Sequence, residues 1–115
     1  RGGMATTLKE AALESGLCIK IREQELPIPL RVKGACDLLG LDPLYIANEG
    51  ILIAILEASK ADAVLAAMKT HPFGKNSVMI GDVHAEPSSM VLLETTAGGS
   101  RIVDMLPGEM LPRIC

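Results

Sequence analysis

The first helix is indicated by apolar residues that recur at helical spacing near the start of the chain. They are three or four positions apart, as on one face of a helix: Ala5, Leu8, Ala12 and Leu13. Gly16 follows where a C-terminal cap is expected, so the helix should end at Ser15. The segment from Leu17 to Ile21 is a short β-rich run and predicts a strand.

A second helix is predicted from Leu30 to Leu39, where helical spacing returns after a connection that contains two prolines. Gly40 ends this helix, and Asp42-Pro43 marks the turn that follows. The unbroken apolar run from Ile51 to Leu56 is typical of a strand that is buried on both faces.

A third helix should begin with Ser59 as its N-cap and continue to about Thr70. Two strands are predicted after it, with a turn around Pro87-Ser88 between them, and a third short strand extends the sheet: residues 77–84, 90–95 and 101–103. This order predicts an α/β (α+β) fold, a mixed sheet with helices packed mainly on one face. Residues 1–103 form the domain in this interpretation, and residues 104–115 form a mobile tail.

Composition and charge exclude several classes of function. A net charge of −3 and a pI near 5.3 do not favour binding to phosphate backbones, so nucleic acid is not an expected partner. The longest apolar run is far shorter than the roughly 20 residues of a membrane span, and no signal peptide is evident. Three cysteines without a CxxC pair, and two histidines outside any metal-ligand spacing, indicate reduced cytoplasmic thiols and no metal site.

The last residue carries the most distinctive chemistry. A thiol on Cys115 can enter another site while it remains tethered to the domain, and Arg113 would favour its nucleophilic thiolate form. The free α-carboxylate of the same residue opposes that effect. The residues alone leave an alternative open, in which a terminus without a role ends in cysteine.

The tail sequence from Asp104 to Cys115, DMLPGEMLPRIC, resembles the tail of the HypE family of hydrogenase maturation factors. The resemblance extends to Arg1-Gly2-Gly3, to Leu41-Asp42-Pro43-Leu44-Tyr45 and to Ala47-Asn48-Glu49-Gly50, and so covers the whole chain. It implies a C-terminal domain of the aminoimidazole ribonucleotide synthetase type. The opening residues, which enter a helix directly, are read as the continuation of a longer protein.

The resemblance implies a reaction on the sulfur of Cys115. The carbamoyltransferase HypF forms an S-carboxamide there, and HypE dehydrates it with ATP, and a divalent cation such as Mg²⁺, to a thiocyanate. The cyanide then becomes a ligand of the iron of [NiFe]-hydrogenase, with HypC and HypD as scaffold and iron-carrying partners. The full-length protein is expected to be a homodimer, and this chain alone should bind no nucleotide and turn over no ATP.

Glu49 is the predicted general base, because the glutamate of the family's Asn-Glu-Gly segment matches it. Desolvation between Ile46 and Ile51 would make its carboxylate a stronger base. Asn48 could orient Glu49 or the carboxamide. A loop glutamate that only solvates a turn is the competing interpretation, and it is the more common one for such residues.

Arg1, Gly2 and Gly3 are candidate contacts for the nucleotide or for the tail, since glycine lets backbone amides approach phosphate at a helix N-terminus. A flexible helix entry explains these glycines equally well. Two further functional alternatives stay open: a binding module that presents its tail to partners without chemistry, and a related synthetase of the selenophosphate or thiamine monophosphate branches, which lack such a tail.

Overall fold

A computed structural model describes residues 2–105, so residues 1 and 106–115 lie outside the described part of the chain. The elements follow the predicted order of helices and strands, apart from one missing strand: α1 Gly3–Ser15, β1 Cys18–Arg22, α2 Leu30–Leu39, α3 Ala58–Lys69, β2 Gly81–His84, β3 Met90–Glu94 and β4 Ser100–Val103. The predicted second helix has the observed bounds, and the first helix ends at the predicted residue.

The four strands form one mixed sheet in the order β2-β1-β3-β4. β1 pairs antiparallel with β2 and parallel with β3, while β4 adds to β3 as an antiparallel hairpin. The strands on either side of Pro87-Ser88 are therefore not neighbours, because β1 lies between them. The predicted fold class, a mixed sheet with helices, is confirmed.

The core lies between α1 and one face of the sheet. Cross-strand partners in register present the apolar side chains of that face, with Ile19 of β1 opposite Val91 of β3 and Val91 opposite Val103 of β4. Helix α1 supplies Leu8 and two fully buried alanines to the same cluster. Alanines allow a helix backbone to approach a sheet closely, which suits a core almost without aromatic residues.

The prediction of a buried strand from Ile51 to Leu56 was wrong. This segment belongs to no helix or strand, and Ile51 is 62% exposed and Leu52 73% exposed. Only Ile53 packs against the core as a half-buried side chain. A continuous apolar run indicates two covering layers, and within residues 2–105 no strand pairs with this segment to supply them.

Two predicted boundaries also need correction. Glu57, not Ser59, is the N-cap of α3, and its side chain makes no capping hydrogen bond. Strand β2 begins four residues later than predicted, at Gly81, although the Ile80 carbonyl still accepts a bond from Arg22 N at 2.8 Å. Helix α3 has no buried residue and packs against the short turn Pro72–Gly74 rather than the sheet.

A carboxylate joins the end of β1 to the β3–β4 turn. Glu23 Oε1 accepts hydrogen bonds from both the backbone N and the Oγ1 of Thr96, each at 3.0 Å. These two bonds favour the charged form and hold the pKa of Glu23 below its ordinary value of 4.5, with smaller contributions from Lys33 and Arg101.

Replacing Glu23 with Gln should therefore lower stability in a pH-dependent way. Since the folded-state pKa is depressed, the stabilisation is complete above about pH 4.5 and is lost as the pH falls through the folded value. Because the group is close to solvent, we expect a Tm decrease of only roughly 2–4 °C at pH 7. Thermal unfolding of wild type and Glu23→Gln from pH 3 to pH 7 measures this Tm difference, with Glu25→Gln as the control variant. A difference from wild type that does not shrink in acid would contradict this account.

Candidate functional site

A short 3₁₀ turn, Pro43–Tyr45, is the point where separate parts of the chain meet. Its start is fixed because the Asp42 carboxylate accepts a hydrogen bond from Leu44 N at 3.0 Å, and Pro43 has the φ that a first helical position requires. Leu44 is buried in the core and anchors the turn to α1 and the sheet. Asn48 and Glu49 follow a few residues later.

The N-terminal end of α1 packs directly against this turn. Gly3 has a φ of 80°, and a Cβ atom built on it would lie 2.5 Å from the Leu44 carbonyl oxygen and 2.7 Å from that of Ile46. Only glycine permits this close approach. Gly2 also has a positive φ, of 73°, and its carbonyl accepts a bond from Thr6 Oγ1 at 3.0 Å. Packing and backbone conformation thus explain both glycines, and their predicted contact with a nucleotide stays a prediction.

The end of β4 is tied to the same turn by two side-chain bonds. Arg101 Nη2 donates to Asp42 Oδ2 at 2.8 Å, and Tyr45 Oη donates to the Asp104 carbonyl at 2.6 Å. Asp104 is the first residue of the predicted tail. The structure therefore brings two predicted site segments to one turn, the opening glycines and the start of the tail, and this turn leads along the chain into Asn48 and Glu49.

Three candidate site residues lie outside the described part of the chain. Cys115 and Arg113 belong to residues 106–115, and Arg1 is the other residue that is not described. Their roles stay predictions. The described residues contribute the packed turn Pro43–Tyr45. The exposed side chains of Asn48 and Glu49 lie close to it in sequence.

The expected shielding of Glu49 is not present. Asn48 and Glu49 are both exposed, and Ile51, which was expected to desolvate Glu49, is itself largely exposed. The reason is the missing strand: the segment after Gly50 does not enter the sheet, so it does not cover the carboxylate. In residues 2–105 the carboxylate of Glu49 is open to solvent, and its role as a base stays a prediction.

Two cysteines and one histidine outside the turn have places that packing or local hydrogen bonding explains. Cys18 and Cys36 are free and buried, a common environment for free cysteine, which behaves as a small apolar residue. His71 Nδ1 accepts a bond from Phe73 N at 3.1 Å and so begins the Pro72–Gly74 turn. Across the described residues, no group of His, Cys, Asp or Glu side chains is arranged to hold a metal ion, and no helix is long and apolar enough to span a membrane.

Four residues around the turn were not singled out as site residues from the sequence: Lys9, Asp42, Tyr45 and Arg101. Tyr45 offered a signal, because it is one of only two aromatic residues in the chain and lies within one of the segments that carry the resemblance. Asp42 lies in the same segment but was identified only as part of a turn. Lys9 and Arg101 offered no such signal, since their partners are far away in sequence.

Residues 1–93 match the family described as AIR synthase related protein, C-terminal domain. The match covers most of the chain, and the mixed sheet with its covering helix is consistent with it. The chain therefore belongs to this family of synthetase-type C-terminal domains.

Among curated proteins, the chain is 51% identical to the carbamoyl dehydratase HypE of Cupriavidus necator and 50% identical to that of Azotobacter vinelandii, in each case over all 115 residues. It covers 33% and 34% of those two proteins, so it spans about a third of the length of the relatives it matches. The resemblance to HypE that was inferred from the sequence is confirmed.

Solved structures agree with this assignment. A crystal structure of the hydrogenase maturation protein HypE superimposes with a TM-score of 0.92 at 45% identity, with 100% of this chain and 38% of that chain covered. A HypE structure in complex with ATP gives 0.91 at 44% identity, covering 100% of this chain and 36% of that one. A HypE–HypF complex gives 0.86 at 42% identity, covering 92% and 34%.

Proposed function

We propose that this chain is the C-terminal part of a carbamoyl dehydratase of the HypE type. In the proposed reaction, an S-carboxamide on Cys115 is converted to a thiocyanate at the expense of ATP, and the product supplies the cyanide ligands of [NiFe]-hydrogenase. The observation that carries the proposal is that the helix following the opening glycines and the start of the tail both contact Pro43–Tyr45, the turn that leads into the segment with Glu49.

The chemistry requires a phosphoryl group, a base and a mobile substrate. The γ-phosphoryl group of ATP is transferred to the carboxamide oxygen, because that oxygen leaves only after it has become phosphate. Cleavage of the C–O bond and removal of both N–H protons then give the nitrile, still bonded to the sulfur of Cys115. Glu49 takes up one of these protons in this scheme, the departing phosphate takes up the other, and Asn48 orients the carboxamide.

The other predicted site residues act on the thiol or lie near the ATP site. Arg113 stabilises the thiolate of Cys115 before carbamoylation. The ATP site, with a divalent cation such as Mg²⁺, is formed mainly by the part of the longer protein that precedes this chain, with Arg1, Gly2 and Gly3 at its border. Because Glu49 is exposed within residues 2–105, we propose that the same preceding part covers it when the site assembles.

The proposed partners are those that the resemblance to HypE implies. A carbamoyltransferase, HypF, delivers the carbamoyl group, and the complex of HypE with HypF among the similar structures supports this assignment. HypC and HypD receive the cyanide, and the full-length protein acts as a homodimer. The two free buried thiols, Cys18 and Cys36, support a reducing compartment, the cytoplasm.

The test is intact mass spectrometry of the full-length protein after incubation with the carbamoyltransferase, carbamoyl phosphate and ATP. We expect a carbamoyl adduct that maps to Cys115 and then loses one water, whereas Cys115→Ala should acquire no adduct. This chain without the preceding residues should turn over no ATP. An adduct on another residue, or an adduct that never loses water, would refute the dehydratase proposal.

The exposure of Glu49 favours a second candidate function. In this alternative the domain is a binding module that presents its tail to the maturation partners, while other groups carry out the chemistry. The two functions differ in the effect of removing the carboxylate of Glu49, since a binding module has no use for a proton acceptor there.

A further inference from the structure

The start of the predicted tail is held by a hydrogen bond between residues that are distant in sequence. Tyr45 Oη donates to the carbonyl of Asp104 at 2.6 Å, a short and therefore well-formed O–H···O bond. The ring of Tyr45 is half-buried against the core, so packing fixes the position of the hydroxyl. The carbonyl of Asp104 is thus bound to a rigid part of the domain.

A half-buried lysine adds a second contact. The Lys9 side chain is only 12% exposed, and its Nζ lies 3.9 Å from Asp104 Oδ1 while it donates to the Ser89 carbonyl at 2.9 Å. The Ser89 bond fixes the ammonium group near the carboxylate of Asp104, which is 69% exposed, so this pair adds only a weak attraction to the Tyr45 bond. Asp104 is therefore contacted through both its main chain and its side chain, by residues of two different elements.

We propose that Lys9, Tyr45 and Asp104 form a tail-root clamp, which fixes the point and direction from which the reactive cysteine leaves the domain. The inference rests on the proposed function, because it assigns Tyr45 as a positioning residue for the dehydration of the carbamoylated tail. Tyr45 is suited to this role since it precedes Glu49 by only four residues, so one segment carries both the clamp and the proposed base.

Chain length shows why such a clamp matters. Cys115 is eleven residues beyond Asp104, and a fully extended chain of that length spans at most about 36–40 Å. The longest extent of the domain is 39 Å. A tail that runs over the surface can therefore reach many points on the near side of the domain but not its opposite side, and reach alone selects no single site. Holding Asp104 in one place raises the effective concentration of the cysteine on the side of the domain where the tail begins.

The experiment compares Tyr45→Phe with Thr70→Val in the full-length protein. The first variant removes the clamp hydroxyl and keeps the ring, while the second removes a hydroxyl that also donates to a carbonyl, Ala67 O at 2.6 Å, on a different element. Each protein is carbamoylated first, and nitrile formation is then followed by mass spectrometry in a single turnover with ATP. We expect about a 3- to 10-fold slower rate for Tyr45→Phe, the value of one hydrogen bond, and no change for Thr70→Val.

A second measurement separates positioning from a general structural effect. Spin labels on Cys115 and on Ser59→Cys, in a background with Cys18 and Cys36 replaced by Ala, report the distance from the tail end to α3. We expect Tyr45→Phe to broaden this distance distribution and Thr70→Val to leave it unchanged. An unchanged rate for Tyr45→Phe would overturn the clamp, and so would a slower rate with an unchanged distribution. If wild type forms no nitrile, the proposed function fails, while the distance distribution still decides whether the clamp exists.

Discussion

Replacing Glu49 with Gln in the full-length protein is expected to slow dehydration of the carbamoylated cysteine by about 10²–10⁴-fold, the usual contribution of a general base. The amide that replaces the carboxylate has similar size and cannot take up a proton at neutral pH. Carbamoylation of Cys115 should proceed as in wild type, because the partner enzyme carries out that step. Single-turnover mass spectrometry separates the two stages, with the carbamoyl adduct accumulating in the variant.

Glu57→Gln is the matched control for this experiment. Glu57 is also an exposed glutamate close to the same segment, and it lies 3.9 Å from Lys60 in a surface ion pair. Its replacement should leave carbamoylation and dehydration unchanged, since exposed ion pairs contribute little to stability. Nitrile formation by Glu49→Gln at the wild-type rate would exclude the base and leave the binding-module function as the better description of the domain.

Replacing Gly3 with Ala should destabilise the chain by about 2–5 kcal/mol. A positive φ costs an L-residue roughly 1–2 kcal/mol, and the added methyl group must also displace the backbone of residues 44–46, an overpacking cost of about 1–3 kcal/mol. For a domain of this size the Tm should fall by roughly 8 °C or more, as measured by circular dichroism during heating.

Gly40→Ala isolates the contribution of the close contact. Gly40 has a φ of 69°, similar to that of Gly3, but a Cβ atom there would meet nothing within 4 Å. The free energy of unfolding of this variant should therefore fall only by the roughly 1–2 kcal/mol that a positive φ costs an L-residue. Equal losses for the two variants would mean that the packing of α1 on Pro43–Tyr45 adds nothing to the cost.

The helices and most strands could be predicted from sequence because their signals are local. Gly16 and Gly40 mark the ends of α1 and α2 through a backbone conformation that glycine adopts readily, and both residues have positive φ. The sequence could not show that the run from Ile51 to Leu56 forms no strand. An apolar run gives no information on whether a neighbouring strand is available to pair with it.

The candidate site was predictable only as separate pieces. The resemblance identified the segments with Gly3 and Glu49 and the start of the tail, and each pointed to the same activity. The contact between the start of the tail and Pro43–Tyr45 depends on the bond from Tyr45 to Asp104, which joins residues 59 positions apart. Spacing along the chain contains no signal for such a bond, because register and packing of distant elements create it.

The pairing order of the sheet has a consequence for how the domain assembles. Strand β1 is the centre of the sheet, yet its partners begin only at Gly81 and Met90, so the whole chain between them must be closed into a loop before β1 gains either neighbour. The hairpin of β3 and β4 is the only pairing in the described sheet that is local in sequence. Closing this long loop costs conformational entropy before β1 gains a partner, so we expect the core to assemble slowly and cooperatively rather than stepwise from the N-terminus.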